Sequence, residues 1–474
     1  MLRALNTGVR TSIAVAVGLM LHRSVWAEDP PRDVLPEQRS PAAFVAPSGL
    51  TAVGSNLLFT AFHLLHGQEL WISDGTTANT RMVRDIRVGF RGSFPSGQRP
   101  FKGSVYFTAT DGLSGLELWR SDGTEAGTVL VKDVREGQEG SNPNSLTPWN
   151  DALYFVADDG SGFRLWRTRG TAESTQRIGA ATGAGIASAP RQLTVAGDRL
   201  FFTATDPAAG HELWATDGTA SGLYRVKDIR PGSEDGAIEN LVAVNGVLYF
   251  SARDASHGIE LWKSDGSEAG TVLVKDIRPG AGDSRPSHLV SMGGRLYFAA
   301  ADGVHGTELW TSDGTEAGTV MVKDIRPGPA HSLPSFLTAI DDALYFAATD
   351  DEHGAELWKS DGTAAGTVLL KDIAAGQGSS SPARLKRVGN RLWFSAFDER
   401  TGVEAWMSDG TTAGTVLVAD IAPGPRNANP IEFTRVGAGV AFVADDGIGN
   451  ERLWWRDPDG TVRMIGAPLG SRLR

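Results

Sequence analysis

Between Pro286 and Leu333 the apolar residues fall in four short groups, around Leu289–Met292, Leu296–Ala300, Glu308–Ser312 and Thr319–Ile325. Each is rich in β-formers and bounded by Gly, Asp or Asn, the signature of a strand followed by a turn. The second group is apolar at consecutive positions (Leu296, Tyr297, Phe298), which predicts a strand covered on both faces. Gly293-Gly294 separates the first pair of groups, with the length and composition of a type I′ hairpin turn. Asn150-Asp151, Gly197-Asp198, Asn245-Gly246, Asp341-Asp342 and Gly389-Asn390 hold the same place in other copies. A longer loop, Asp313–Gly318, joins the last two groups.

The pattern repeats along the chain. Tryptophan stands at Trp71, Trp119, Trp166, Trp214, Trp262, Trp310, Trp358, Trp406 and Trp454, at steps of 48 residues with one step of 47. Four antiparallel strands copied in tandem predict an all-β fold, a β-propeller of four-stranded blades. Nine copies predict nine blades, more than the usual number of about four to eight. An eight-bladed ring with an extra or split copy is the alternative. A helical solenoid does not fit the period-two pattern, and a β-helix has shorter turns. The expected division is a signal peptide at 1–27, a Pro-rich linker at 28–46, the propeller at 47–466 and a tail at 467–474.

Composition narrows the function classes. The 474 residues carry a formal net charge of −11, so no basic footprint exists for nucleic acid. Arg3, Arg10, the apolar run Ser12–Leu21 and Val25-Trp26-Ala27 read as an export signal cleaved near Ala27. No later apolar run is long enough to span a bilayer. The expectation is a secreted or periplasmic monomer without membrane insertion. With no cysteine, disulfides, thiolate–zinc sites and thiol nucleophiles are excluded.

The stretch GTELWTSDGTEAGTVMVKDIRPG, residues 306–328, resembles the ELW-x-x-DGT repeat of secreted, often myxobacterial, proteins. The resemblance covers nearly all of 47–465 in seven strong copies, and 157–190 and 446–465 depart from it. It implies a secreted, propeller-like protein and no particular activity.

Within the repeat, a tryptophan present in every copy points to packing between blades rather than to sugar stacking. If Ser312 faces Thr319 across the last hairpin, Glu308 falls opposite Lys323, an expected cross-strand pair. Glu69–Arg84, Glu117–Lys132, Glu212–Lys227, Glu260–Lys275 and Glu356–Lys371 repeat it. Asp313-Gly314-Thr315 reads as a turn. The loop Asp302-Gly303-Val304-His305-Gly306-Thr307-Glu308 carries the richest chemistry, with His66, His257, His305 and His353 at one shared position. Oxygen-rich glycine loops suit Ca²⁺, so Asp302, Glu308, Asp350 and Glu356 are candidate metal ligands. No other cofactor is expected.

Blade topology places these loops on one rim beside the Asp-Ile-Arg-Pro-Gly segments. Asp111, Asp254, His257, Asp302, His305, Asp350, His353, Arg278 and Arg326 are the candidate binding residues there. No catalytic residue stands out, because near-identical loops lack the asymmetry that catalysis requires. The expected function is a non-enzymatic binding or scaffold propeller whose ligand is an extracellular glycan or a protein surface. The alternatives are a propeller-fold hydrolase or lyase acting on glycan, and a calcium-stabilised cell-surface structural protein.

Overall fold

The structure is a computed structural model that describes residues 44–179, 188–219 and 221–466. The expected signal peptide, nearly all of the linker and the tail lie outside these residues. The described residues form nine four-stranded antiparallel sheets and no helix, so none of them lies in a helix able to cross a membrane. Each sheet comes from one contiguous stretch of chain. The first strands of neighbouring sheets lie beside one another all the way round, and Val45–Val53 meets Ile431–Val436. This is a nine-bladed propeller with the first strand of every blade at the axis, and the eight-bladed alternative is set aside. The first strand begins at Val45, two residues before the expected boundary.

Blade 6 shows the unit: Ser287–Met292, Arg295–Ala301, Thr307–Ser312 and Val320–Lys323. Gly293 and Gly294 have φ of 56° and 76°, as a type I′ turn requires. Leu296 and Phe298 of the second strand are fully buried because both faces of the sheet are covered. Trp310 packs on Val244, Tyr249 and Leu261 of blade 5, and Trp358 packs on Met292, Tyr297 and Leu309 of blade 6. A ring of this size removes about 150–250 Å² from water, a gross gain of about 4–6 kcal/mol per blade.

The expected Glu–Lys pairs do not form. The ladder runs Thr311↔Val320 and Trp310↔Met321, then slips at Val322 so that Leu309, not Glu308, faces Lys323. Lys323 instead reaches the next blade, where its Nζ donates to the Thr367 carbonyl at 2.7 Å and lies 5.9 Å from the Trp358 ring centroid. Lys227, Lys275 and Lys371 donate in the same way to Thr271, Thr319 and Thr415.

The two eroded copies still make complete blades, and the ninth differs for a reason. Blade 9 must close on blade 1 without sharing a strand with it. In blades 2, 3, 5, 6 and 7 a tyrosine hydroxyl sits against the turn glycine of the next blade, as Tyr249 does at Gly314. Blade 9 has the small Ala441 at that place, and Trp455 from its third strand covers Gly75 of blade 1. Glu432 accepts the Leu50 amide at 2.8 Å, and the Arg463 guanidinium donates to the Gly75 carbonyl.

The Asp313–Thr319 turn is held by its own side chains. Asp313 Oδ1 accepts from Thr315 N and Oγ1, and Ser312 Oγ accepts from Gly314 N. Gly314 has φ of 89°, and a Cβ there would meet Tyr249 Oη at 2.3 Å. Gly314→Ala is therefore expected to cost about 1–3 kcal/mol, read as a lower denaturation midpoint, whereas Thr315→Ser should cost much less.

Candidate functional site

The connecting rim carries the chemistry that the repeat predicts, and most of it is committed to joining blades. Glu308 is fully buried. Its carboxylate accepts from Ile325 N at 2.9 Å, where the chain leaves blade 6, and from Ser332 N at 3.0 Å and Ser332 Oγ at 2.5 Å, where it enters blade 7. Glu69, Glu117, Glu260 and Glu356 hold Ser93, Ser141, Ser284 and Ser380 in the same way. Burial pushes the Glu308 carboxyl up to about 7, with the Ser332 hydroxyl and Ile325 amide pulling against it. Glu69, Glu212, Glu260 and Glu404 are likewise pushed up to about 7.

The loop aspartates fold back on their own loops. Asp302 accepts from Val304 N at 2.8 Å, His305 N at 2.9 Å and His305 Nδ1 at 2.7 Å. Asp254 with His257 and Asp350 with His353 repeat the couple at 2.9 Å. Asp111, whose loop has Ser114 in place of histidine, caps Leu113 N and Ser114 N. Blade 1 has His63 where the others have aspartate, and His66 turns to Asp85 at 2.7 Å. The hydrogen bond that His257 donates to Asp254 raises His257, and the one to Asp302 raises His305 in the same way. Arg326 pairs with Asp351 of the next blade at 2.7 Å. Arg278 lies along Gly303 of the next blade.

Asp302 with Glu308, and Asp350 with Glu356, do not suit Ca²⁺. The glutamates point into the blade junction with their acceptor sites filled, while the aspartates are filled by their own loops. Among the described residues no group of three or more His, Asp or Glu is placed to hold a metal ion.

The axis is different. Every first strand carries a bulge, seen as a register break against the second strand. At each bulge one residue has φ between 54° and 67°. Gly49 and Gly97 fill this place in blades 1 and 2, and glycine is the residue such a bulge favours. The other seven blades put Ser145, Gln192, Asn240, His288, Phe336, Arg384 and Glu432 there. Holding a side chain in this conformation costs about 1–3 kcal/mol, most clearly for bulky ones. His288, Phe336 and Arg384 are exposed at the axis, while the following Leu289, Leu337 and Leu385 turn into the blade interfaces.

Among the described residues, three clefts open between neighbouring first strands. One of about 460 Å³ lies by Gln98, Arg99, Asn144 and Ser145, and one of about 430 Å³ by Glu239, Asn240, Ser287 and His288. The third, about 330 Å³, lies by Leu333, Phe336, Ser381 and Pro382. The same repeat position thus presents nearly as many chemistries as there are blades. The signal was present in the chain as a variable column, two residues after Pro286, Pro334, Pro382 and their counterparts. Without the bulge there was no reason to place that column at the axis.

No family model matches the chain, and no curated protein does. Among solved structures it is similar to a puromycin hydrolase at 15% identity and TM-score 0.39, covering 75% of this chain and 59% of that one. It is similar to oligopeptidase B from Leishmania major at 12% identity and TM-score 0.45, covering 77% and 54%. The β-propeller domain of the Trilobed protease from Pyrococcus furiosus matches at 10% identity and TM-score 0.37, covering 68% and 97%. The chain thus spans less than two thirds of the length of the two peptidases. Likeness at this level carries no argument about activity.

The shifted groups set a pH dependence. A carboxyl raised from 4.5 to about 7 by folding binds more protons folded than unfolded. The stability it lends is complete below 4.5 and lost as pH rises through about 7. His257 and His305, raised above 6.5, add stability that is complete below 6.5 and lost above it. Burial works to raise Asp254 and Asp302, but their histidine hydrogen bonds leave them below 3.8, so their share is lost only in stronger acid. The melting midpoint is expected to be highest near pH 4–6 and to fall toward pH 8, with a smaller fall in Glu308→Gln. Chelation of calcium is expected to leave the midpoint unchanged.

Proposed function

We propose that this chain is a non-catalytic binding propeller that works outside the cytoplasm and takes an extracellular glycan at its axis. The observation that carries the reading is the contrast between rim and axis. On the rim the buried glutamates recur as clasps between blades, the aspartate–histidine couple recurs in three blades, and Arg326 is paired with Asp351. The axial bulges carry unlike, exposed side chains on a rigid frame, the arrangement in which one ligand is met by several different groups. The resemblance to secreted repeat proteins, and an amino-terminal sequence that reads as an export signal, favour an extracellular partner. The hydrolase or lyase alternative lacks a comparable observation in its favour.

A protein surface is the second reading, and one feature favours it. Leu64, Leu65, Val88, Phe90, Phe94 and Leu113 are exposed on the connecting rim of blades 1 and 2. The loops that carry them meet: Phe94 N donates to the Gln68 carbonyl, Gly67 abuts the Phe90 backbone and Gly112 abuts Arg87. Exposed apolar patches of this kind mark association sites.

A glycan array probed with the mature chain tests the choice. Binding to a defined subset of glycans is expected. Binding to none, together with capture of a protein partner that Phe90→Ser abolishes, would replace the first reading with the second.

A further inference from the structure

Blades 6 to 8 bring three axial side chains of different character side by side. His288 and Phe336 occupy the bulges of adjacent blades, with ring centroids 6.3 Å apart and planes tilted by 42°. Beside Phe336 the 330 Å³ cleft is walled by Leu333, Ala347, Pro382 and Ala383, with Ser335 and Ser381 at its edge. A tilted pair of rings beside an apolar cleft with hydroxyls at its margin suits the carbon face and hydroxyl rim of a pyranose.

Arg384 holds the bulge of the next blade and is exposed. Among the described residues it makes no hydrogen bond or ion pair with the protein. Its strand, Ala383–Val388, reads ARLKRV, whereas the corresponding strand of blade 7 reads SFLTAI and that of blade 6 SHLVSM. A molecule with net charge −11 therefore gathers cations at one sector of its axis. Arg387 is held by Asp341 at 3.0 Å, and the nearby acid Glu432 is engaged by the Leu50 amide. Arg384 is left with its guanidinium fork available, the geometry that takes a carboxylate at two points.

We infer that the axial face of blades 6 to 8 binds an acidic sugar, with the pyranose against His288 and Phe336 and its carboxylate on Arg384. This rests on the glycan-binding reading above and specifies its ligand as a uronate-bearing glycan. It also accounts for the bulges of blades 7 and 8, which hold long side chains where Gly49 and Gly97 show that glycine fits.

Titration calorimetry of the mature chain with oligogalacturonate and with a neutral malto-oligosaccharide, at low salt, tests it. Oligogalacturonate is expected to bind at least tenfold more tightly. Phe336→Gly should weaken oligogalacturonate at least tenfold. Arg384→Gly should remove the preference for the acid. Both variants should keep or raise the melting midpoint, because the bulge accepts glycine without strain, so lost binding would not reflect misfolding. Equal binding of the two sugars would overturn the acidic ligand and leave glycan binding standing. Unchanged oligogalacturonate binding in both variants would overturn the site. Absence of binding to every sugar offered there and on the array would overturn both readings.

Discussion

A four-stranded sheet with two apolar faces cannot stand alone in water, and the need to cover both faces organises this molecule. Each blade buries one face on the blade before it and one on the blade after, with the third-strand tryptophan as the largest single contribution. A ring is the arrangement that leaves no face bare. The ninth blade must then bury its outer face on the first, and the exchange of a tyrosine for Ala441 and Trp455 shows that this seam is packed in its own way.

Polar groups make the junctions specific. The connector between blades has backbone amides that would be costly to leave buried and unpaired. A buried glutamate takes them up, together with the serine that opens the next blade. The strand-four lysine reaches across to a carbonyl of the neighbour, over its tryptophan. Copies three and nine have Arg164 and Arg452 in place of this glutamate. Arg164 bonds to the Phe163 and Ser161 carbonyls of its own blade, and Arg452 to Asp446 of its own. Those blades lack the glutamate clasp and reach the next blade through other polar contacts, Arg167 to the Gly218 carbonyl and Arg463 to the Gly75 carbonyl.

Freedom to vary is confined by the same constraint. A residue in a blade face must match its neighbours, so the copies stay alike. At the axis the first strand has no partner on its inner edge, and its bulge turns one side chain toward the axis, where Gln192, Asn240 and Glu432 reach the next blade and, among the described residues, Arg384 does not. Identity there is released from packing and becomes available to a ligand. The unlike axial residues and the like rim residues are two results of one packing rule.

The chain by itself determined the number of copies, the four strands in each, the hairpin at Gly293-Gly294 and the turn at Asp313-Gly314-Thr315. These depend on local periodicity and on turn chemistry, which act over a few residues. Which groups meet was decided by tertiary structure. A single-residue slip at Val322 moved Lys323 off Glu308 and onto the next blade. Ser332, which fills the glutamate instead, lies 24 residues further along and comes near only when the connector turns the corner. The axial side chains are not legible in the chain for the same reason: His288, Phe336 and Arg384 stand at steps of 48 residues, and only the packing of successive blades brings their strands together.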